Sequence, residues 1–369
     1  MIRTNYDQCF SREACETVMP AEWHRQRAVQ LTWPHPGTDW APMLDDVEEC
    51  YIRMAREIAK REQLIIVCPD SNAVRGLLES HLDSGCISRI VYCEMPTNDT
   101  WARDHGFITL LSPEGPLLLD FRFNGWGQKF ASDLDNQICR QMAGMQILKG
   151  RYSCHLDFVL EGGSVESDGK GSVLTTAKCL AAPNRNEPLT LQDIEQRLKS
   201  YLHARRILWL HHGGLEGDDT DSHVDTLARF CPNDTIAYVK CEDRNDPHFE
   251  ELHLMEKELS AFRTEDGKPY RLVSLPMAPK SYDLEGNRLP ATYANFLAVN
   301  GAVLMPTYGD KALDTAAALQ LGKAFPRHEI VPVDCRSLIV QHGSLHCCTM
   351  QFPEEVEITA SGSKCTQKT

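Results

Sequence analysis

A short pattern recurs five times along this sequence, and it constrains the fold more than any other feature. In each copy a polar cluster leads into a β-favouring run, and in four copies a turn and a second such run follow. The copies are TWARDHGFITLLSPEGPLLLDF, LEGGSVESDGKGSVLTTA, SHVDTLARFCPNDTIAYV, YANFLAVNGAVLMPTY and SLHCCTMQF. The fourth copy has an Asn-Gly pair, which is typical of a tight hairpin. No second strand is evident in the fifth.

The polar clusters are similarly spaced. With Asp104, Glu161, His223, Asn295 and Cys347 as markers, the separations are 57, 62, 72 and 52 residues. Such spacing indicates one supersecondary unit that is used repeatedly. If the copies surround an axis, we expect the polar clusters to meet at its centre.

Amphipathic helical patterns with a period near 3.6 residues lie between further strand-like runs. The helical patterns cover residues 40–62, 70–84, 129–144, 190–203, 248–263 and 311–324. The additional strand-like runs are QLIIVCP, SRIVYCEM, RRILWL, YRLVSLPM and HEIVPVD. This alternation predicts an α/β architecture. No Pro-rich or Ser/Gly-rich linker divides the chain, so we expect one catalytic domain over residues 1–353 and a loose tail over residues 354–369.

Composition narrows the class of protein. No run of 18 apolar residues is present, so no membrane partner is expected, and the N-terminus lacks the pattern of a signal peptide, which predicts a cytoplasmic protein. The 15 cysteines are odd in number and scattered, which favours reduced thiols. Acidic residues outnumber basic ones by 52 to 38, and the net charge of −14 argues against a nucleic-acid partner. It suits a small cationic substrate.

The segment TDSHVDT has three polar residues at alternate positions. In an extended segment, Asp221, His223 and Asp225 would point to the same side. A metal site, a solvated loop, and a base with flanking carboxylates are the three interpretations of this pattern. The sequence contains no HExxH motif, EF-hand loop or CxxC pair, so the base with its carboxylates is preferred over the metal site.

In two further segments a carboxylate lies close in sequence to residues that could help to bind a flat cation. In NDTWARDHGF, Trp101 lies three residues before Asp104. Aromatic faces stack on planar cations, and carboxylates bind a guanidinium with two parallel hydrogen bonds. In LEGGSVES, Glu161 precedes two glycines. The alternative for both carboxylates is a structural role in which they accept hydrogen bonds from nearby backbone amides.

Two adjacent cysteines in GSLHCCTMQFP provide a candidate nucleophile. In a strand Cys347 and Cys348 must face opposite sides, so one can face the polar centre while the other faces the core. Free cysteine is usually a small buried hydrophobic residue. A histidine such as His223 with carboxylates, remote in sequence, changes that interpretation because together they form the pattern of an activated thiol nucleophile.

Six motifs, taken together, resemble the signatures of a known family. They are MPAEWHRQRAVQLTWPH, NDTWARDHG, LEGGSVESDGKGS, GDDTDSHVDT, YANFLAVNGAVLMPTYGD and GSLHCCTMQFP, in that order, over about residues 18–353. They resemble those of the agmatine deiminases, in the Porphyromonas-type peptidyl-arginine deiminase family of the guanidine-modifying superfamily. The resemblance implies a five-bladed α/β propeller of ββαβ units, in agreement with the repeat. The lead-in QHGSLHCC departs from the Gly-rich, asparagine-containing lead-in found in many members.

The resemblance also implies roles for individual residues. It implies that Cys347, directly after the histidine, is the nucleophile and that His223 exchanges protons, with Asp104 and Asp225 gripping the guanidinium. The expected substrate-binding residues are Trp101, Asp104, Asp225, Glu161, Asp221 and Asn295. Neither a metal nor an organic cofactor is expected. The expected partner is a small cationic guanidino substrate, and a homodimer is the assembly to test.

The expected reaction is hydrolysis of agmatine to N-carbamoylputrescine and ammonia through an amidino-cysteine intermediate. Peptidyl arginine and free arginine are alternative substrates with the same chemistry. An arginine such as Arg122 or Arg185 would face the carboxylate of free arginine, whereas Glu216, Asp218 or Asp221 could bind the ammonium of agmatine. Two competing functions are an amidinotransferase and a non-catalytic propeller that binds a guanidino ligand.

Overall fold

The computed structural model describes residues 16–359, which form a mixed α/β fold. Its strands are β1 (Gln26–Thr32), β2 (Gln63–Cys68), β3 (Ile90–Glu94), β4 (Ile108–Leu110), β5 (Leu117–Arg122), β6 (Leu148–Lys149), β7 (Arg151–Val159), β8 (Val165–Ser167), β9 (Ser172–Thr176), β10 (Arg206–Leu210), β11 (Ala228–Cys231), β12 (Thr235–Lys240), β13 (Arg271–Pro276), β14 (Leu297–Val299), β15 (Ala302–Thr307), β16 (Glu329–Asp334), β17 (Thr349–Pro353) and β18 (Glu357–Ile358). Its α-helices are α1 (Leu44–Ala59), α2 (Ser71–Glu79), α3 (Ser84–Ile87), α4 (Ala102–His105), α5 (Gly125–Gln128), α6 (Ile138–Gly144), α7 (Ala177–Leu180), α8 (Leu191–Tyr201), α9 (Phe249–Ala261) and α10 (Lys311–Ala324). Within residues 16–359, no helix combines the length and the apolar character that a membrane crossing requires.

Four sheets share one topology. They are β4–β5–β7, β8–β9–β10, β11–β12–β13 and β14–β15–β16. In each of them the first two strands are antiparallel and the third is parallel to the second. A parallel partner requires a crossover connection, and helices lie in these crossovers. The strand–turn–strand repeat that the sequence predicts is therefore present in these four sheets.

A fifth sheet, β17–β1–β2–β3, repeats this arrangement in its first three strands and adds β3 parallel to β2, and it joins the two ends of the described chain. β17 pairs antiparallel with β1, from Gln26 opposite Pro353 to Leu31 opposite Thr349. β1 then pairs in parallel with β2. The second strand that is not evident after SLHCCTMQF is thus β1. Local sequence could not reveal it, because a pairing between such remote segments leaves no turn signal.

Most of the predicted helices are present, and most are shorter than the sequence pattern. The prediction for residues 311–324 matches α10 in full, and Asp310 caps it by accepting from two backbone amides. The pattern over residues 129–144 yields only α6, preceded by turns. There, buried Asp135 accepts hydrogen bonds from the backbone amides of Asn98 and Asp99. This anchors the loop before Trp101 and keeps residue 135 out of a long amphipathic helix.

The helices pack against the sheets through apolar stripes. α1 contacts β2 and β16, while α9 contacts β12 and α10 contacts β13. On α1, Val47, Tyr51, Met54 and Ile58 are fully buried, at the spacing of one helical face. Burying each such side chain contributes about 1.5–3 kcal/mol. These contacts hold the sheets, and the polar loops that precede their first strands, in fixed positions.

The described chain continues past residue 353. β18 pairs with β6, so residues 357–358 within the expected tail have a partner strand. The expectation of a loose tail over residues 360–369 falls outside the described residues. Each of the twelve cysteines within residues 16–359 is unpaired.

Candidate active site

Seven predicted site residues come from the segments that precede β4, β8, β11, β14 and β17. They are Trp101, Asp104, Glu161, His223, Asp225, Asn295 and Cys347, and all are buried. Burying a carboxylate without a partner is costly, so a group of this kind is expected to have a functional reason.

Three of these side chains converge on Gly163. A β-carbon added there would lie 2.6 Å from His223 Nδ1, 2.9 Å from Asp104 Oδ1 and 3.1 Å from Asp225 Oδ2. The backbone amide of Gly163 donates a hydrogen bond to Asp104 Oδ1 (3.1 Å). Only a glycine allows the imidazole and both carboxylates to approach so closely. The structure thus brings together three residues that are remote in sequence.

Cys347 is held at the end of the lead-in by an asparagine. Asn295 Oδ1 accepts hydrogen bonds from the backbone amides of His346 (2.9 Å) and Cys347 (3.3 Å), and from Cys347 Sγ (3.4 Å). The Cys347 carbonyl accepts from the backbone amide of Arg103 (3.1 Å), next to Asp104. Asn295 therefore contacts the nucleophile candidate and orients it.

Cys347 lines a cavity of about 160 Å³. Its walls include Trp101, Asp104 and Trp126. The indole of Trp126 donates to Asp104 Oδ2 (2.9 Å), and the indole of Trp101 donates to Asp99 Oδ2 (2.8 Å). Two aromatic walls beside a carboxylate suit a flat cation. Cys348 is fully buried beside the Tyr51 hydroxyl and does not line the cavity.

Gly343 permits the observed position of Trp101. A β-carbon at residue 343 would overlap the Trp101 ring. We therefore expect Gly343→Ala to displace the indole and to lower kcat/KM on the order of a hundredfold, as a displacement of about 1 Å can. Steady-state kinetics would measure this effect. Gly322→Ala, in α10 with open space around its β-carbon, is the matched control. Equal kinetics for the two variants would contradict this role of Gly343.

The electrostatics of the site are those of a cation receptor. Burial, together with the charges of Asp225 and Glu161, raises the pKa of Asp104 to about 6, against the opposing effect of His223. Burial acts to lower the pKa of His223, yet Asp104, Cys179 and Glu161 raise it to about 10. Burial, with Asp225 and Asp104, raises the pKa of the Cys347 thiol well above its usual range. At neutral pH the imidazole is therefore protonated and the thiol is neutral.

His346, immediately before the thiol, connects Asp225 to a buried charge network. Its Nδ1 lies 2.7 Å from Asp225 Oδ2, and its Nε2 lies 2.6 Å from Glu22 Oε2. Arg229 bonds both Glu22 and Glu166. Burial acts to raise the pKa of Asp225, but the hydrogen bond and charge of His346 lower it. The sequence pattern predicted no role for His346 or Glu22, although both lie in the six motifs.

The segment around His223 is not extended. Asp221 and Ser222 have positive φ values of 63° and 72°, and Val224–Thr226 is a 3-10 turn. The prediction that Asp221, His223 and Asp225 share one face as in a strand is therefore wrong in its geometry. Asp221 instead turns toward Lys129 (2.8 Å) and Arg185 (2.6 Å) and does not line the cavity.

Further acidic residues line the same cavity. They are Asp39, Asp99, Asp218 and Asp219. Among the described residues that line this cavity there is no lysine or arginine. Arg185 is occupied elsewhere: its guanidinium bonds Glu161 Oε1 (2.9 Å) as well as Asp221. Glu161 is thus held beside His223 by an arginine, outside the cavity lining.

Comparisons with known proteins agree over almost the whole chain. The profile of the Porphyromonas-type peptidyl-arginine deiminase family matches residues 18–353. Agmatine deiminase from Pseudomonas aeruginosa (strain LESB58) is 31% identical over 358 residues, covering 91% of this chain and 95% of that protein. The structure of a Cys-to-Ser variant of C. jejuni agmatine deiminase with substrate bound is 35% identical, with a TM-score of 0.85 and coverage of 92% and 97%.

A further solved structure is more similar in sequence. It comes from Porphyromonas gingivalis and carries a provisional assignment as an arginine deiminase. It is 50% identical, with a TM-score of 0.88, and the match covers 93% of this chain and all of that one. The chain therefore belongs to the Porphyromonas-type peptidyl-arginine deiminase family.

Proposed function

We propose that this protein is an agmatine deiminase, which hydrolyses agmatine to N-carbamoylputrescine and ammonia. The observation that carries the proposal is the convergence of His223, Asp104 and Asp225 at Gly163, next to a cavity that Asp104 and Cys347 line. A guanidinium is planar, permanently charged and rich in hydrogen-bond donors, so the Asp104 carboxylate between two indoles complements it. Asp225 lies behind the cavity lining, and its Oδ1 has no hydrogen-bond partner among the described residues, so it is free to serve as the second acceptor.

In the proposed mechanism the substrate activates its own nucleophile. A guanidinium held by Asp104 and Asp225 brings positive charge beside Cys347, which favours loss of the thiol proton. The thiolate attacks the central guanidinium carbon and forms a tetrahedral adduct. Protonated His223 donates its proton to the departing nitrogen, so that ammonia leaves and an amidino-cysteine remains.

The second half of the reaction reverses the role of the imidazole. Neutral His223 now accepts a proton from water, and the resulting hydroxide attacks the amidino carbon. The carbon–sulfur bond breaks, which releases the ureido product and returns the electron pair to sulfur. No step of this mechanism requires a metal or an organic cofactor. Asn295, which holds the Cys347 amide and thiol, keeps the sulfur oriented in both halves.

The acidic mouth of the cavity favours an amine over an amino acid. Agmatine ends in an ammonium, which Asp219 can accept, because the side chain of Asp218 is occupied by Thr220 and Ser222. Free arginine would place its α-carboxylate among the same acidic residues, with no lysine or arginine in the described lining to meet it. The 50% identity to the P. gingivalis structure nevertheless makes arginine deimination the second candidate function.

A substrate panel tests the proposed function directly. Purified protein is incubated with agmatine, free arginine and an arginyl peptide, each with and without an added amine acceptor, and ureido product and ammonia are measured. We expect agmatine to have the highest kcat/KM. If either arginine substrate has a higher kcat/KM than agmatine, that substrate would be assigned to the protein instead of agmatine. Guanidino transfer that requires the amine acceptor would indicate an amidinotransferase.

Asp219→Asn is expected to weaken the recognition of the substrate's far end. Loss of one charge-assisted hydrogen bond of about 1.5 kcal/mol would raise KM for agmatine about tenfold, with kcat nearly unchanged. An alkylguanidine that lacks the terminal ammonium is the matched control, since its kcat/KM should not respond to this change. An equal loss with both substrates would place the effect of Asp219 elsewhere.

The pH dependence of kcat/KM should follow the two shifted groups. Activity should rise as Asp104 loses its proton near pH 6, because only the carboxylate grips the cation. It should fall as His223 loses its proton near pH 10, because the leaving group then has no acid. Initial rates at low agmatine concentration from pH 5 to 11 measure both limbs. A flat profile between pH 5 and 7 would contradict the proposed role of Asp104.

We further propose that the five units, four of three strands and one of four, surround a pseudo-fivefold axis as the blades of an α/β propeller, within one catalytic domain over residues 1–353. The shared topology of the sheets and the meeting of loops from five units support this arrangement. The unpaired cysteines of the described chain support a cytoplasmic location. A homodimer is proposed as the assembly, to be tested by light scattering.

A further inference from the structure

A second thiol lies against the catalytic imidazole. Ligand atoms of Glu161, Cys179 and His223 all lie within 4.8 Å of one another. All three side chains are fully buried. Neither the proposed mechanism nor the family motifs use Cys179. It lies outside the cavity lining, in the short helix α7.

Two members of this group have polar atoms without a partner. Among the described residues, neither ring nitrogen of His223 has a hydrogen-bond partner, nor does Glu161 Oε2. The second carboxylate oxygen of Glu161 accepts from Arg185. Leaving a buried polar atom unpaired costs about 1–3 kcal/mol. A ligand bound at this position would account for these unsatisfied atoms.

The fold fixes Cys179 relative to His223. Thr176 caps α7, and its hydroxyl accepts weakly from the Cys179 amide (3.4 Å). The same hydroxyl donates to the carbonyl of Ser222 (2.7 Å), the residue before His223. One side chain therefore links the helix that carries the thiol to the loop that carries the imidazole. The hydrogen bonds that the Thr176 hydroxyl makes with the backbone therefore keep the Cys179 thiol close to the His223 imidazole.

We propose that Glu161, Cys179 and His223 form a binding site for a thiophilic divalent cation of the Zn²⁺ type. Thiolate, imidazole and carboxylate are the ligands that zinc takes in proteins, and three protein ligands leave a fourth position for water. Two of the three ligands are anionic when the ion is bound, which offsets its charge in a buried location.

A bound ion would inhibit turnover. This inhibition rests on the proposed function, whereas the binding of the ion does not depend on that function. An imidazole that ligates a metal can neither protonate ammonia nor accept a proton from water. The ion and the guanidinium would also oppose each other, because His223 Nδ1 lies only 3.7 Å from Asp104 Oδ1. By linkage, agmatine must weaken metal binding by the same factor as the metal weakens agmatine binding.

Calorimetry and cadmium absorption test the site without any need for activity. Every sample carries Cys154→Ser, which removes an exposed thiol. Zn²⁺ binding is measured by titration calorimetry, and Cd²⁺ is followed by its thiolate charge-transfer band. The parent and Cys347→Ser should each bind one equivalent. Cys179→Ala should bind at least about a hundredfold more weakly and lose the band.

The Cys347→Ser and Cys179→Ala pair distinguishes this site from zinc capture by the nucleophile. Loss of binding in Cys347→Ser, with retention in Cys179→Ala, would overturn the proposal. If Cys179→Ala does not fold, Cys179→Ser and Glu161→Gln provide the same comparison, and full retention of binding in either would also overturn it. Inhibition is measured as a fraction of each variant's own metal-free activity, with chelator reversal. Tight binding at these residues without inhibition would reject only the inhibitory role.

Discussion

Cys347→Ser is expected to abolish turnover of agmatine, with kcat reduced at least about ten-thousandfold. A serine hydroxyl is far less acidic than a thiol, and the neighbouring Asp104 and Asp225 make its ionisation harder still. The fold should be unaffected, because the side chain faces the cavity and serine is similar in shape. Steady-state kinetics, circular dichroism and calorimetric agmatine binding measure these three properties. Retained binding with lost turnover is the expected combination.

The neighbouring residue provides the control for this experiment. Cys348 is fully buried, on the side away from the cavity. Cys348→Ser should lower stability by about 1–3 kcal/mol, because a hydroxyl enters the core, and leave kcat within about fivefold. Mass spectrometry of the parent during turnover should detect the amidino adduct on the peptide that contains both residues. Reversed phenotypes for the two variants would assign the nucleophile to Cys348.

Asp104→Asn is expected to have the second largest effect. The change preserves the side-chain shape but removes one of two negative charges that hold the guanidinium. It also removes the anion that lies 3.7 Å from His223 Nδ1. We expect kcat/KM to fall about a thousandfold, or about 4 kcal/mol, as for the loss of an electrostatic contact in a closed site. In the residual activity the alkaline limb should move to lower pH, since the anion that raises the pKa of His223 is gone.

Asp120→Asn is the matched control for this charge. Asp120 is also buried, accepts a hydrogen bond from Tyr152 (2.6 Å), and lies outside the cavity lining. Thermal unfolding and kinetics together measure the effect of its replacement: a lower Tm with kcat/KM nearly unchanged is the expected result. If Asp104→Asn behaved in the same way, Asp104 would be a structural residue and the proposed guanidinium grip would be wrong.

The sequence was sufficient to predict the repeat unit and most of the helix positions, with residues 129–144 as the exception. Hydrophobic periodicity and turn residues are local, and they survive loss of identity between copies. The contact between His346 and Glu22 could not be predicted from the sequence, because the two residues are 324 positions apart. Choosing Cys347 over Cys348 required the family resemblance, since strand alternation shows only that the two face opposite sides.

The acidic run before His223 shows a second reason why the sequence pattern did not predict part of the site. Strand-like alternation selected Asp221, but two consecutive left-handed residues, Asp221 and Ser222, reverse the chain there. Asp221 consequently meets Lys129 and Arg185, while Asp219 faces the cavity. Positive φ values in residues other than glycine depend on tertiary contacts, so a one-dimensional pattern does not indicate them.

The pairing of β1 with β17 has a consequence for biosynthesis. Arg27 donates to the carbonyl of Glu354 across 327 positions of the chain, and the proposed nucleophile Cys347 lies just before β17. A ribosome that has made β1 must therefore synthesise all four intervening units before β17 and Cys347 reach the free edge of β1, opposite β2. During translation β1 has an open edge, which is a recognised route to aggregation. A permuted gene that makes β17 and β1 contiguous should shorten this interval.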